Sequence, residues 1–142
     1  MMYSIYNTTD WPLHEISKYA TELTQAMVKI TERFPDDVSL EEMAIDIANG
    51  RHQLWLILDE KKIFKAFLTT EITITTTGKK RVTLCQLAGE GGAEIAQLIN
   101  SIEAWAKSIG ADEICPIGRL GWRKELAKYG YQPTITKYRK EL

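Results

Sequence analysis

The sequence predicts an α/β fold built on a mixed central sheet of about six strands, and three observations support this. Residues 84–110 have the pattern of a strand, a glycine turn and a helix, and a further extended segment follows. An apolar seam from Leu13 to Phe34 predicts a long helix. Residues 53–88 contain apolar and alternating stretches separated by turn residues, as in consecutive strands. A chain of 142 residues fits one domain, spanning residues 1–142.

The first predicted elements are a short strand at residues 3–7 and a long amphipathic helix. Thr9 or Asp10 can cap this helix, and Pro12 suits its first turn because no N–H is needed there. A seam of this kind packs against a partner helix in a coiled coil or packs on a sheet, and we expect packing on the sheet. Its members are Leu13, Ile16, Ala20, Leu23, Met27, Ile30 and Phe34.

A second, shorter helix precedes three strands. Ser39 to Glu42 form a capping-box pattern, and Asn49-Gly50 is a helix-ending pair. Gly78 falls in a turn between alternating stretches, which predicts a hairpin. The predicted strands are residues 53–58, 63–76 and 81–88.

A glycine-rich loop joins the last of these strands to the next helix. The first amides of a helix have no intrahelical partner, and the helix dipole adds partial positive charge there. Gly89, Gly91 and Gly92 would let a phosphate approach such amides closely. A tight strand-to-helix turn explains the glycines equally well. Glu90 and Glu94 count against an anion, because both would repel it.

The remaining predicted elements are a helix ending at Gly110, a parallel strand at residues 113–117, a short helix at 121–129 and a final strand at 133–140. Pro116 interrupts the parallel strand, because proline cannot donate to a ladder. Residues 119–142 carry seven bases against two acids, although the whole chain has a net charge of −1. We read this basic end as a solvated face, so a nucleic-acid partner is not expected.

The composition argues against a membrane-spanning helix. The chain is 44% hydrophobic and 26% charged, and no apolar run approaches the ~18–20 residues that span a bilayer. The N-terminus lacks a signal-like segment, so we expect a cytoplasmic protein. Cys85 and Cys115 lie in predicted strands without a nearby ligand set, and we expect both to be buried reduced thiols.

The loop sequence Gln-Leu-Ala-Gly-Glu-Gly at residues 86–91 resembles the Gln/Arg-x-x-Gly-x-Gly/Ala motif of the GNAT acetyltransferase family. The helix ending at residues 103–111 and the segment 127–131 are also similar to that family. The resemblance implies a GNAT-like sheet with helices on both faces, shortened at the C-terminus, and acetyl-CoA as the cofactor. The cofactor-binding residues it implies are Gln86, Leu87, Gly89, Gly91, Gly92 and Ala93.

Residues 117–122, Ile-Gly-Arg-Leu-Gly-Trp, also resemble a run in short, divergent GNAT-like proteins encoded by bacteriophages. Two interpretations follow from these resemblances. One is an N-acetyltransferase that acts on an unidentified small-molecule or protein amine. The other is an inactive GNAT-fold protein that works through contacts with phage structural proteins or further copies of itself, and such a protein can be virion-associated.

Catalytic residues are not assigned by the resemblance. Acetyl transfer to an amine needs a base and a proton donor for the thiolate. GNAT enzymes often use a tyrosine as the donor, and the matching position here is Leu126. The candidates are therefore Tyr129, which a packing role also explains, and Glu71, which a solvated strand face also explains. His14 and His52 are expected at the surface or a sheet edge.

Overall fold

The computed structural model describes residues 2–90, 97–118 and 122–142 and shows one mixed sheet between helices. Its strands are β1 (Tyr3–Asn7), β2 (His52–Asp59), β3 (Phe64–Ile74), β4 (Lys80–Gly89) and β5 (Glu113–Pro116). Its helices are α1 (Leu13–Ser17), α2 (Ala20–Arg33), α3 (Leu40–Ala48), α4 (Ile99–Ser108) and α5 (Arg123–Ala127). The strands lie in chain order; β4 and β5 are parallel and the other neighbours antiparallel. The predicted α/β fold is confirmed.

The sheet separates two apolar cores, because successive strand residues point to opposite faces. On the face that we call the α2/α3 side, Leu56 and Phe67 pack with Met27 of α2 and Met43 of α3. On the opposite face, the α4 side, the buried residues are Trp55, Leu68, Val82, Leu84, Ile99, Ile102 and Ala106. Strand β2 is buried along almost all of its length, which explains its unbroken apolar sequence. No helix in the described ranges is long and apolar enough to cross a membrane.

The long N-terminal helix of the prediction is two helices. Lys18 and Tyr19 interrupt it, and Tyr19 has the non-helical ψ of 8°. The Tyr19 hydroxyl donates a hydrogen bond to the Lys62 carbonyl (3.2 Å), which ties this break to the turn between β2 and β3. In α2, Leu23, Met27 and Ile30 of the seam are buried, whereas Leu13 in α1 is 78% exposed. The seam therefore packs on the sheet from Ile16 onward, with Ala20 exposed at the break.

Helix capping was predicted correctly for α3 but not for α1. The Ser39 hydroxyl accepts a hydrogen bond from the Glu42 amide (3.0 Å), as the capping-box pattern predicts. The N-cap of α1 is Pro12, with no side-chain cap, so the expected capping by Thr9 or Asp10 is wrong. The Thr9 amide and hydroxyl instead bond to the side chain of Asn7.

Helix α4 ends where the sequence predicts and begins later. Gly110 has a φ of 77°, and the Ala111 amide donates to the Ala106 carbonyl (2.9 Å), which is a left-handed helix end. Gln97 and Leu98 form a turn, so helix α4 does not extend back through them. The expected first turn near Glu94 lies outside the described residues.

The predicted final strand is wrong, so the described sheet has five strands rather than about six. Residues 132–142 have no regular secondary structure, and Ile135 is 89% exposed despite its alternation with threonines. Ion pairs hold this tail instead: the Arg139 guanidinium donates to Asp37 at 2.9 Å, in the turn between α2 and α3. The alternating pattern predicted a strand, but no neighbouring strand among the described residues pairs with it.

We predict that Ser39→Ala lowers the free energy of unfolding by about 1 kcal/mol, because the Glu42 amide loses its side-chain acceptor. Ser101→Ala, at an exposed position in α4, is the matched control and should change stability by less than about 0.5 kcal/mol. Urea unfolding followed by circular dichroism measures both. Equal stability of the two variants would contradict the capping role.

Candidate functional site

The parallel pairing of β4 with β5 ends before β4 does. Four residue pairs join the strands, and the last is Leu84 with Pro116. The Ile117 amide adds one more hydrogen bond, to the Leu84 carbonyl (3.0 Å). Strand β4 then continues to Gly89 without a partner on this side among the described residues. We call this edge of β4, which has no partner strand in the described ranges from Cys85 to Gly89, the gap.

A β-bulge lies where the gap starts. On β3, Thr70 pairs with Leu84 and Thr69 pairs with Gln86, which leaves Cys85 as an extra residue in β4. The Thr69 hydroxyl donates to the Gln86 side-chain oxygen, so the Gln86 side chain lies across the sheet towards β3. Cys85 and Gln86 consequently share the α2/α3 side, whereas Leu84 is buried on the α4 side.

The start of the glycine loop packs tightly against β3. Gly89 has a φ of 139°, and a Cβ there would collide with the main chain of Lys65 and Ala66. The Glu90 amide donates to the Lys65 carbonyl (2.8 Å), which anchors the loop. The Glu90 carboxylate lies 3.9 Å from the Lys65 ammonium, which partly balances its charge. Leu87 is half-buried on the α4 side.

Beside the bulge, the α2/α3 side carries a polar cluster of His52, Glu71 and Cys85, which we call the His–Glu–Cys cluster. His52 and Glu71 are partners across β2 and β3, and ligand-type atoms of all three residues lie within 4.8 Å of one another. The His52 Nε2 is 3.5 Å from Glu71 Oε2. The expected surface or edge position of His52 is wrong, because this residue is only 8% exposed.

Electrostatics limit what this cluster does in acid–base chemistry. The Arg51 Nε donates to Glu71 Oε2 at 2.9 Å, so this carboxylate oxygen is already engaged by a cation. Burial, followed by the charge of Glu71, raises the pKa of the Cys85 thiol to about 12. Cys85 therefore stays protonated near neutral pH, and a protonated thiol is a weak nucleophile.

Comparison with solved structures decides the fold. Glucosamine-6-phosphate N-acetyltransferase from Arabidopsis thaliana is similar over 99% of both chains, with a TM-score of 0.68 and 11% identity. A GNAT family acetyltransferase from Staphylococcus aureus is similar over the whole of both chains (TM-score 0.63, 10% identity). A predicted acetyltransferase from Clostridium acetobutylicum, crystallised with acetyl-CoA, is similar over 98% of this chain and 94% of its own (TM-score 0.62, 15% identity).

The chain has the GNAT acetyltransferase fold. The sequence resemblance to that fold is thereby confirmed. No protein-family profile matches the sequence, and no curated protein matches it significantly. The similarity is therefore one of architecture and not of sequence.

Within the GNAT fold, the two catalytic candidates lie on opposite faces of the sheet. Glu71 is on the α2/α3 side, where it bonds to Arg51. Tyr129 packs with the core on the α4 side, together with Leu126, the residue that the sequence resemblance aligns with the family's tyrosine. Tyr131 donates its hydroxyl to Glu103 of α4 at 2.5 Å, and burial raises its pKa. The hydroxyl proton of Tyr131 is therefore engaged in a hydrogen bond between this residue and α4.

Of the predicted cofactor-binding residues, the structure describes Gln86, Leu87 and Gly89, and all three lie in β4 beside the gap. Gly91, Gly92 and Ala93 lie outside the described residues. The association of His52 with Cys85 was not predicted from the sequence. A register prediction for β2 and β3 could have paired His52 with Glu71, but the bulge that brings in Cys85 has no sequence signal of its own.

We predict that Gly89→Ala destabilises the protein more than Gly78→Ala does. Both glycines have a positive φ, but a Cβ at Gly78 meets nothing within 4 Å. Forcing β3 and β4 apart should add about 1–3 kcal/mol to the loss at Gly89. Urea unfolding of both variants measures the difference. Equal losses would show that the approach of the loop to Lys65 is not a tight constraint.

Proposed function

We propose that this protein binds acetyl-CoA and transfers its acetyl group to an amine. The observation that carries the proposal is the gap beside β4, which begins at Leu84 and Pro116 and runs to the glycine loop. A strand edge without a partner offers main-chain N–H and C=O groups to an extended ligand. The amide-containing pantetheine arm of CoA is a ligand of that kind.

The pyrophosphate of the coenzyme is assigned to the loop that follows β4. Leu87 and Gly89 contribute through their main chain, because the side chain of Leu87 packs in the core. Gln86, which was also predicted here, is held by Thr69 through both its side chain and its amide (3.2 Å). Gly91, Gly92 and Ala93 complete the site in this proposal. Small residues in such a loop favour close approach of phosphate oxygens to main-chain amides.

The transfer itself is attack of a neutral amine on the thioester carbonyl, followed by departure of the CoA thiolate, which takes up a proton. Tyr129 is the better candidate for the proton donor, since Tyr131 is engaged by Glu103. Glu71 is the weaker candidate for the base, since Arg51 already holds its carboxylate. The acceptor is a small-molecule or protein amine, and a solvent water relay would relieve the need for a side-chain base.

One observation favours the alternative of a GNAT-fold protein without catalysis. Leu126 packs into the α4-side core at the position where the family often places its tyrosine. A protein that retains the fold without the donor would act through contacts, either with another copy of itself or with phage structural proteins. In that case acetyl-CoA would bind, if it binds at all, without turnover.

We predict micromolar binding of acetyl-CoA by isothermal titration calorimetry. Gly91→Asp should abolish the signal, because a carboxylate in the loop repels the pyrophosphate. Gly78→Asp is the matched control, since it adds the same charge in the hairpin at the opposite end of β4, and it should bind normally. Absence of heat at millimolar acetyl-CoA, or equal loss in both variants, would contradict the proposed cofactor site.

We predict that Tyr129→Phe lowers kcat about 10²- to 10⁴-fold while KM for acetyl-CoA stays within a few-fold of the wild type. The assay detects released CoA with a thiol reagent, using spermidine, glucosamine 6-phosphate and a lysine peptide as amines. Tyr138→Phe, on the exposed tail, is the matched control and should keep full activity.

Two outcomes of this assay decide between the readings. Equal rates for Tyr129→Phe and the wild type would remove Tyr129 as the donor. Tight acetyl-CoA binding without CoA release from any of the three amines would favour the non-catalytic alternative.

A further inference from the structure

The His–Glu–Cys cluster is assembled by three adjacent strands. His52 opens β2, Glu71 is its direct partner on β3, and Cys85 is the bulge residue of β4. Hydrogen-bonded ladders fix the relative positions of these three main-chain segments, so little ordering is needed to bring the side chains together. Their ligand-type atoms already lie within 4.8 Å of one another. This is a preorganised constellation of one imidazole, one carboxylate and one thiol.

The imidazole of His52 lacks the hydrogen bonds that burial demands. It is 8% exposed, and its Nδ1 has no hydrogen-bond partner among the residues that the structure describes. A buried polar atom without a partner costs about 1–3 kcal/mol, and native proteins leave few of them. A metal ion on the other ring nitrogen, Nε2, lets His52 and Glu71 both be ligands, because Nε2 and Glu71 Oε2 are already 3.5 Å apart.

The donor set selects the class of ion. Imidazole nitrogen and thiolate sulfur suit zinc and similar transition metals, whereas calcium and magnesium prefer oxygen ligands. Zinc sites that keep an open position typically use three protein ligands. Neighbouring ligand atoms on a tetrahedral zinc ion lie about 3.5 Å apart, given bond lengths of about 2.0–2.3 Å. Small side-chain rotations of Glu71 and Cys85 would close the observed spacing.

The surrounding charge also suits a dication. The charges of Asp46 and Arg51 both influence the pKa of Cys85. The Arg51 Nη1 lies 3.8 Å from Asp46 Oδ1. With a thiolate at Cys85, the three acidic groups outnumber Arg51 by two negative charges. The Arg51 side chain is 65% exposed and can leave Glu71 for solvent, so its cation does not block the site.

We propose that His52, Glu71 and Cys85 bind a zinc-class divalent ion, with a fourth position open to solvent or a ligand. On binding, the Cys85 S–H proton is released to solvent and the thiolate coordinates the metal. No redox change occurs. This inference does not depend on acetyl-CoA binding, because none of the three ligands is among the proposed cofactor-binding residues, although Glu71 is also the candidate base.

The experiment titrates Co²⁺ into the metal-free full chain, kept reduced, and follows absorption. We expect one equivalent to bind with a near-ultraviolet thiolate-to-cobalt band, and Zn²⁺ to displace it. Cys85→Ser should lose the band and bind Zn²⁺ at least about 10- to 100-fold more weakly. Cys115→Ser is the matched control, because Cys115 is the other free thiol of the chain and lies outside the cluster; this variant should behave as wild type.

A second variant and a second readout guard against simple misfolding. Glu71→Gln should keep the thiolate band while weakening Zn²⁺ binding, and Zn²⁺ should raise the Tm of the wild type and of Cys115→Ser but not of Cys85→Ser. The proposal is overturned if saturating Co²⁺ gives no thiolate band. It is equally overturned if Cys85→Ser keeps the band, if Cys115→Ser loses it, or if Glu71→Gln binds Zn²⁺ as tightly as wild type.

Discussion

The structure depends on how far β4 is paired on each of its two edges. Towards β3 it is paired along its whole length, across a bulge, and towards β5 only as far as Leu84. Pro116 does not set this limit, because the Ile117 amide that follows it still donates to the Leu84 carbonyl (3.0 Å). Beyond Leu84, in the part of the chain that the structure describes, β4 keeps its ladder with β3 and has no partner strand on its other edge, so the β3 ladder holds the main-chain groups of that edge in line. A flexible loop at the same place could not hold those groups in line.

The bulge at Cys85 has consequences on both faces of the sheet. It places Cys85 and Gln86 on the same side, where regular alternation would separate them. Polar groups therefore gather on the α2/α3 side next to an apolar core. Thr69 and Gln86 satisfy each other there, but His52 keeps a ring nitrogen without a partner in the described residues. Buried polar atoms without a partner are few in native proteins, and the metal site proposed above includes this residue.

Local patterns predicted most of the elements, and tertiary contacts decided the rest. Some features are determined by residues within a few positions of one another, and these were predicted: the Ser39 capping box, the Gly110 helix end and the apolar strand β2. The helix break at Tyr19 could not be predicted locally, because it accompanies a hydrogen bond from the Tyr19 hydroxyl to Lys62, 43 residues away. The strand predicted at residues 133–140 was wrong for a related reason. Its alternation is strand-like, but a strand needs a partner, and Arg139 bonds to Asp37 instead.

The gap with its glycine loop and the His–Glu–Cys cluster differ in how far each could be predicted from the sequence. A gap beside a strand and a loop of small residues are built from main chain, which many sequences can provide. This accounts for TM-scores of 0.62 to 0.68 at only 10–15% identity to the acetyltransferase structures compared above. The His–Glu–Cys cluster is built from side chains that are 14 and 19 positions apart and meet only through strand register. Function in such a chain is therefore better sought where side chains break the pattern of the sheet than where the main chain follows it.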